Sequence, residues 1–322
     1  MNVANTALNR SSPKHTAPNH TSTRDLSMLA LGVTVVLWAS AFVGIRAITD
    51  SFSPGAMALG RLSCGAVVMT VIAWPRRTPL PTGRTLGLVI VYGLAWFAAY
   101  NVALNAGEVR IDAGTAALLV NIGPLLIALV AGVIFSEGFP KPLVAGILIA
   151  FAGVALIAFG GDSRSDTDLI GTGLCVLAAL LYAVGVLVQK SVLRTMSALT
   201  VTWCGCLIGT VACLPFAPAL FGELSTANTG DISILIYLGV FPTAIAFTTF
   251  SYALGRLNAG TTSATTYLVP PTAILISWAL LSETPTQVAL VGGAMCLVGV
   301  AITRVRSKVL PPDPEAGQSR SA

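Results

Sequence analysis

A few polar and aromatic side chains interrupt long apolar runs in this sequence, and any chemistry would fall to them. Arg61 lies seven residues after Pro54, about 10 Å along a helix. An arginine at mid-membrane costs about 3 kcal/mol on insertion scales and ordinarily faces a cavity or a partner. One reading makes it a contact for an anionic group on a ligand. The other lets it snorkel to an interface two turns away. Asn101 and Asn105 are four residues apart and share a helix face; with Asn121 they could hydrogen-bond a polar ligand or hold neighbouring helices together. Trp38 and Tyr182 sit at corresponding depths in their runs and could wall a cavity or simply pack.

Other candidates come in matched pairs. Ser251 and Tyr267 stand in the second half where the first has amides, and the hydroxyls of Thr261, Thr262, Ser263, Thr265 and Thr266 lie nearby. Hydroxyls of this kind can also bond back to their own helix. Pro124, Pro270 and Pro271 fall mid-run, where a proline frees a carbonyl and kinks a helix, framing a site or a gate. Glu137 and Glu283 fall at run ends, beside loops, and read as interfacial carboxylates; no acid is expected deep in a run. The six cysteines (Cys64, Cys175, Cys204, Cys206, Cys213, Cys296) lack metal-site spacing. Both histidines, His15 and His20, are near the N-terminus. No metal, cofactor or catalytic group is expected.

The elements that must position these residues are transmembrane helices. Of 322 residues, 55% are hydrophobic and 10% charged, too little charge to cover a soluble surface. Apolar runs long enough to span a bilayer fall at 26–48, 54–74, 85–105, 113–135, 142–160, 169–189, 198–219, 232–254, 259–281 and 286–303. They are too long and unbroken for barrel strands. Residues 1–25 and 305–322 read as cytoplasmic tails, the first disordered, and 161–168 as an outer linker. Ala39-Ser40-Ala41 resembles a signal-peptidase site, but the apolar run continues through Phe42–Ile45, so no cleavage is expected. Placing both termini inside puts Arg76, Arg77, Arg84, Lys141, Lys190, Arg194, Arg256, Arg304 and Arg306 on the cytoplasmic side. Asp50, Glu108, Asp112, Asp162, Glu223, Asp231 and Glu283 then lie outside. The net charge of +5 reads as topology and needs no nucleic-acid partner.

The halves repeat. At a shift of 146 residues Ala113-Gly114-Thr115 matches Ala259-Gly260-Thr261, Pro124 matches Pro270, Ser136-Glu137 matches Ser282-Glu283, and Gly153-Val154-Ala155 matches Gly299-Val300-Ala301. Trp38 and Arg46 correspond to Tyr182 and Lys190 at a shift of 144. Ala103-Leu104 pairs with Ala253-Leu254 if four extra residues form a loop around Glu108–Asp112. Five spans per copy, 26–160 and 169–304, make the second copy enter from the opposite side. The expected fold is therefore all-α, with ten transmembrane helices as two inverted five-helix repeats, an arrangement suited to alternating access.

These features together resemble the drug/metabolite transporter superfamily, of the EamA type. The likeness rests on Leu37-Trp38-Ala39-Ser40-Ala41-Phe42, on Arg61, on the Ala-Leu ends of spans 3 and 8, on the proline-to-Ser-Glu stretches of spans 4 and 9, and on the glycine-bearing spans 5 and 10. It implies spans 1–4 and 6–9 around a central cavity, with 5 and 10 peripheral. It also implies export of amino acids, drugs or other metabolites, with protons as a coupling ion. The second half departs from the pattern with Tyr182-Ala183-Val184-Gly185 and has no counterpart of Arg61.

The expected function is a secondary transporter in a plasma membrane, such as a bacterial inner membrane, moving a small polar or amphipathic metabolite outward. Its partners would be the small-molecule substrate, the lipid bilayer and protons. A passive channel and an intramembrane enzyme are the alternatives. An ATP-driven pump is disfavoured because the phosphate-binding loop is missing; Gln189-Lys190-Ser191 lacks its glycine. Gly146, Gly153, Gly292 and Gly299 permit close helix packing, within one chain or across a homodimer.

Overall fold

The computed structural model describes residues 20–76, 79–127, 141–159, 169–257, 262 and 265–302. They form helices and no strand among the described residues: α1 (His20–Ala47), α2 (Pro54–Ala73), α3 (Gly83–Glu108), α4 (Ala113–Ile127), α5 (Lys141–Phe159), α6 (Leu169–Val192), α7 (Ala198–Thr226), α8 (Thr229–Arg256), α9 (Thr266–Leu281) and α10 (Gln287–Ile302). Six of these helices, α1, α2, α3, α6, α7 and α8, are long and apolar enough to cross a membrane; α4, α5, α9 and α10 carry shorter apolar stretches. The described part of each expected span falls on one of these helices. Glu137, Thr261, Ser263 and the 161–168 linker lie outside the described residues, as do residues 1–19 and 303–322. Helix α1 begins at His20, earlier than the expected start at 26.

Local chemistry explains the starts. Pro54 opens α2 in its first turn, where its missing amide costs nothing. Asp112 caps α4, accepting from the Thr115 amide at 2.9 Å and from its hydroxyl at 2.6 Å. Ser197 and Asn228 cap α7 and α8 in the same way. Helix α9 stops at Ser282, which takes a left-handed backbone (φ 56) before Glu283.

The prolines act alike in the two halves. In α4 the regular helix breaks at Asn121-Ile122 and resumes at Gly123, with Pro124 in the first turn of the resumed stretch, as expected of a ring that cannot donate to the preceding turn. In α9 a 3-10 turn at Thr266–Leu268 precedes Val269–Leu281, with Pro270 and Pro271 in its first turn. Residues without amides are suited to starting a helix.

Helices α3 and α8 each contain a seven-residue π-helix, Gly93–Ala99 and Gly239–Ile245. The two lie 146 residues apart, the shift that relates the later spans. This corrects the expected four-residue insertion at Glu108–Asp112: α3 runs helical to Glu108 with the same register as α8.

Helices α5 and α10 lie against each other at the edge. A Cβ on Gly153 would sit 2.4 Å from the Gly292 carbonyl, and one on Gly299 would sit 2.5 Å from that of Gly146. In lipid, such close backbone approach is the main source of helix association. These four glycines face one another within one chain, so they give no argument for a second copy. Large apolar side chains including Val67, Val71, Leu148, Val211, Leu275 and Leu280 point outward, as a bilayer requires.

Candidate functional site

A cavity of about 570 Å³, open space at its mouth included, lies at the centre of the bundle. Helix α1 contributes Trp38, Ala41 and Phe42, α2 Arg61, α3 Trp96, Tyr100 and Leu104, and α4 Val120, Asn121 and Pro124; Tyr182 (α6), Phe247 (α8), Thr266 and Val269 (α9) complete it. Among the described residues, helices α5, α7 and α10 add none to the wall.

One side of the cavity is aromatic. Trp38 packs against Trp96, Tyr182, Phe247 and Phe250 with ring centroids 4.9–6.5 Å apart. Most of these contacts are edge-to-face, the favourable arrangement for ring quadrupoles. Tyr182 approaches this closely because Gly123 opposite has no side chain; a Cβ there would meet the ring at 2.3 Å.

The other side is polar. Arg61 is 3% exposed, and its Nε donates to Thr243 Oγ1 at 3.2 Å. Thr243 is itself anchored, donating to the Leu238 carbonyl at 2.8 Å inside the π-helix of α8. Asn121 donates through Nδ2 to the Thr266 carbonyl at 2.9 Å, bracing the broken α4 against α9. Three buried polar atoms of the wall have no partner among the described residues: Trp38 Nε1, Arg61 Nη1 and Asn121 Oδ1. Buried polar groups are normally satisfied, so these residues of the wall keep two donors and an acceptor that the described protein groups do not use.

The structure thus brings Trp38, Arg61, Asn121, Tyr182 and Pro124 together and places the other expected residues elsewhere. Asn101 turns back on its own helix, donating to the Phe97 carbonyl at 2.7 Å and that of Trp96 at 3.3 Å across the wide π turn. Asn105 donates to the Pro54 carbonyl at 3.0 Å and ties α3 to α2. Ser251 bonds to Gln189, Thr202 and the Phe247 carbonyl. Tyr267 packs beside Leu125 and Ala150, with Pro270 in the turn just beyond it and Pro271 exposed. Sequence reading missed Phe42, Trp96, Tyr100, Leu104 and Phe247. Of these only Tyr100, a ring with a polar tip in mid-run, carried a signal.

The ends of the bundle are tied by cations. Arg46 reaches Glu283 at 3.1 Å and donates through Nη1 to the Glu108 carbonyl at 3.0 Å, joining α1, α3 and the end of α9. Lys190 at the opposite end donates to the carbonyls of Leu254 and Leu257, joining α6 to α8.

Comparison with known proteins decides the class. The model of the EamA-like transporter family matches twice, over residues 26–159 and 169–305. The chain belongs to the EamA-like transporter family. It is a multi-pass membrane transporter, not an enzyme. It is 36% identical to the probable terminal-alkyne amino-acid exporter of Streptantibioticus cattleyicolor, over 86% of this chain and 93% of that one. It is 31% identical to the uncharacterized transporter YdfC of Bacillus subtilis, over 87% and 91%. A solved crystal structure superposes with a TM-score of 0.59 at 18% identity, covering 88% of this chain and 96% of its own; that likeness is one of fold alone.

Proposed function

We propose that this EamA-family transporter exports an amino-acid-type metabolite with an apolar side chain by alternating access. The observation that carries this reading is the pairing of unpartnered donors with an aromatic box in one cavity. Arg61 Nη1 and Trp38 Nε1 would hold a carboxylate, Asn121 Oδ1 would accept from an N–H or O–H of the ligand, and Trp96, Tyr182 and Phe247 would bury the apolar part. The Streptantibioticus cattleyicolor relative, named for amino-acid export, supports the substrate class.

The reading includes ten membrane crossings as two inverted five-helix halves, 26–160 and 169–304. Support comes from the double family match, the π-helices at one shift, and the parallel between Arg46 on the Glu108 carbonyl and Lys190 on that of Leu254. The Arg46 end would face outward and both termini the cytoplasm, in a bacterial inner membrane. Protons are the coupling ion of this reading.

The test is a thermal-stabilisation screen of an amino-acid panel on the purified protein and on Arg61→Ala. A bound ligand raises the apparent stability of the state it binds. Apolar amino acids that stabilise the wild type and not the variant support the reading. Stabilisation that survives in Arg61→Ala moves the site, and no stabilisation by any amino acid removes the substrate class.

A further inference from the structure

Glu108 is accounted for neither by packing nor by the cavity chemistry above. It is the last residue of α3 and has no exposure, and neither carboxylate oxygen has a hydrogen-bond partner among the described residues. It continues the row Trp96, Tyr100, Leu104 at four-residue spacing, all three of which line the cavity. Glu108 is one further turn along that row, beyond the residues that line the cavity and at the end where Arg46 meets its carbonyl.

The matching position of the other half shows that the fold does not need an acid here. The carbonyl of Leu254 receives Lys190 as that of Glu108 receives Arg46, and Leu254 is equally buried. An apolar side chain meets the packing demand, so the carboxylate is an addition.

The charged groups around Glu108 come from every helix packed against it. Arg46 of α1, Arg61 of α2, Asp112 at the start of α4, and Glu283 after α9 are within electrostatic reach. Cys175 of α6 and Tyr100 on its own helix also feel its charge. Arg46 is already engaged by Glu283. A carboxylate without donors in a dry site requires a cation or a proton. An amino acid whose carboxylate is held by Arg61 would bring its own cation.

We infer that Glu108 is the acceptor for the ammonium group of a zwitterionic substrate, and that a proton competes for the same carboxylate. The inference rests on the proposed amino-acid reading and supplies its coupling step. A proton entering from the Arg46 end protonates Glu108 and displaces the ammonium; rebinding of the amino acid releases that proton. Exclusive occupancy of one carboxylate by proton or substrate exchanges the two across the membrane. By linkage, substrate affinity must then fall as pH falls, by about tenfold per unit where Glu108 is protonated.

The experiment measures proton release and affinity when an amino acid from the panel binds the purified full-length protein in weakly buffered solution. The variants are Glu108→Gln and Glu108→Leu, the latter installing the residue of position 254. An N-acetylated form of the same amino acid serves as the ligand without an ammonium group. The expected result is one proton released per bound amino acid in the wild type, with affinity weakening at low pH. Both variants should release none and bind with a flat pH profile, and the N-acetylated ligand should be indifferent to the substitutions. Binding without proton release in the wild type, or release unchanged in either variant, overturns the role of Glu108 while leaving the amino-acid reading intact. Absence of any amino-acid binding overturns both.

Discussion

The Arg61 guanidinium crosses from α2 to α8 and donates its Nε to the Thr243 hydroxyl at 3.2 Å, which leaves Nη1 without an acceptor among the described residues. One edge of the fork is fixed and the other is available. This is how a buried arginine is aimed without being neutralised. Arg61→Lys should weaken amino-acid binding about tenfold or more, since a lysine cannot make both contacts at once. Thr243→Val should weaken it less, because it loosens the fork but keeps the guanidinium and its remaining N–H donors. Isothermal titration of the two variants checks the order.

The aromatic box sets a second expectation. Trp38 touches four other rings, and its buried indole N–H has no partner among the described residues. Trp38→Phe keeps the packing and deletes the donor, so it should leave the melting temperature close to wild type and weaken ligand binding. Trp38→Ala should cost about 3–5 kcal/mol of stability by emptying the cluster. Thermal melts in detergent, with and without ligand, separate the two effects.

Asn101→Ala should have the opposite profile. Its amide serves the Phe97 and Trp96 carbonyls in the π turn of α3 and lies outside the cavity wall. The variant should lose about 1 kcal/mol of stability and keep ligand affinity once the melt is corrected for that loss.

Gly153→Leu tests the edge of the bundle. With a Cβ held 2.4 Å from the Gly292 carbonyl, α5 and α10 cannot keep their separation. A cost of about 1–3 kcal/mol is expected for overpacking. It should appear as a lower melting temperature with ligand affinity unchanged, because neither helix reaches the cavity.

The helices were legible in the sequence because hydrocarbon requires unbroken apolar runs of span length, and composition alone reports them. Arg61 was legible for the same reason: a charge in such a run stands out. The cavity-facing side of each helix was much harder to read. Asn101 and Asn105 do share a face, as their spacing requires, but the wall of α3 is built by Trp96, Tyr100 and Leu104 beside it. In lipid both faces of a helix are apolar, so periodicity does not tell cavity from bilayer. Glu108 was read as a loop residue because aligning Ala103-Leu104 with Ala253-Leu254 required an insertion, whereas the π-helices hold a single register.

Those π-helices give α3 an unusual tolerance of length. In an unbroken α-helix, removing one residue rotates everything beyond the cut by about 100°. A π turn is commonly an α turn that has taken in a residue, so deleting a single alanine within Gly93–Ala99 would return it to an α turn and leave Tyr100, Leu104 and Glu108 at nearly the same angle about the axis. The π turns are where this chain could lose a residue and still present the same side chains to its interior.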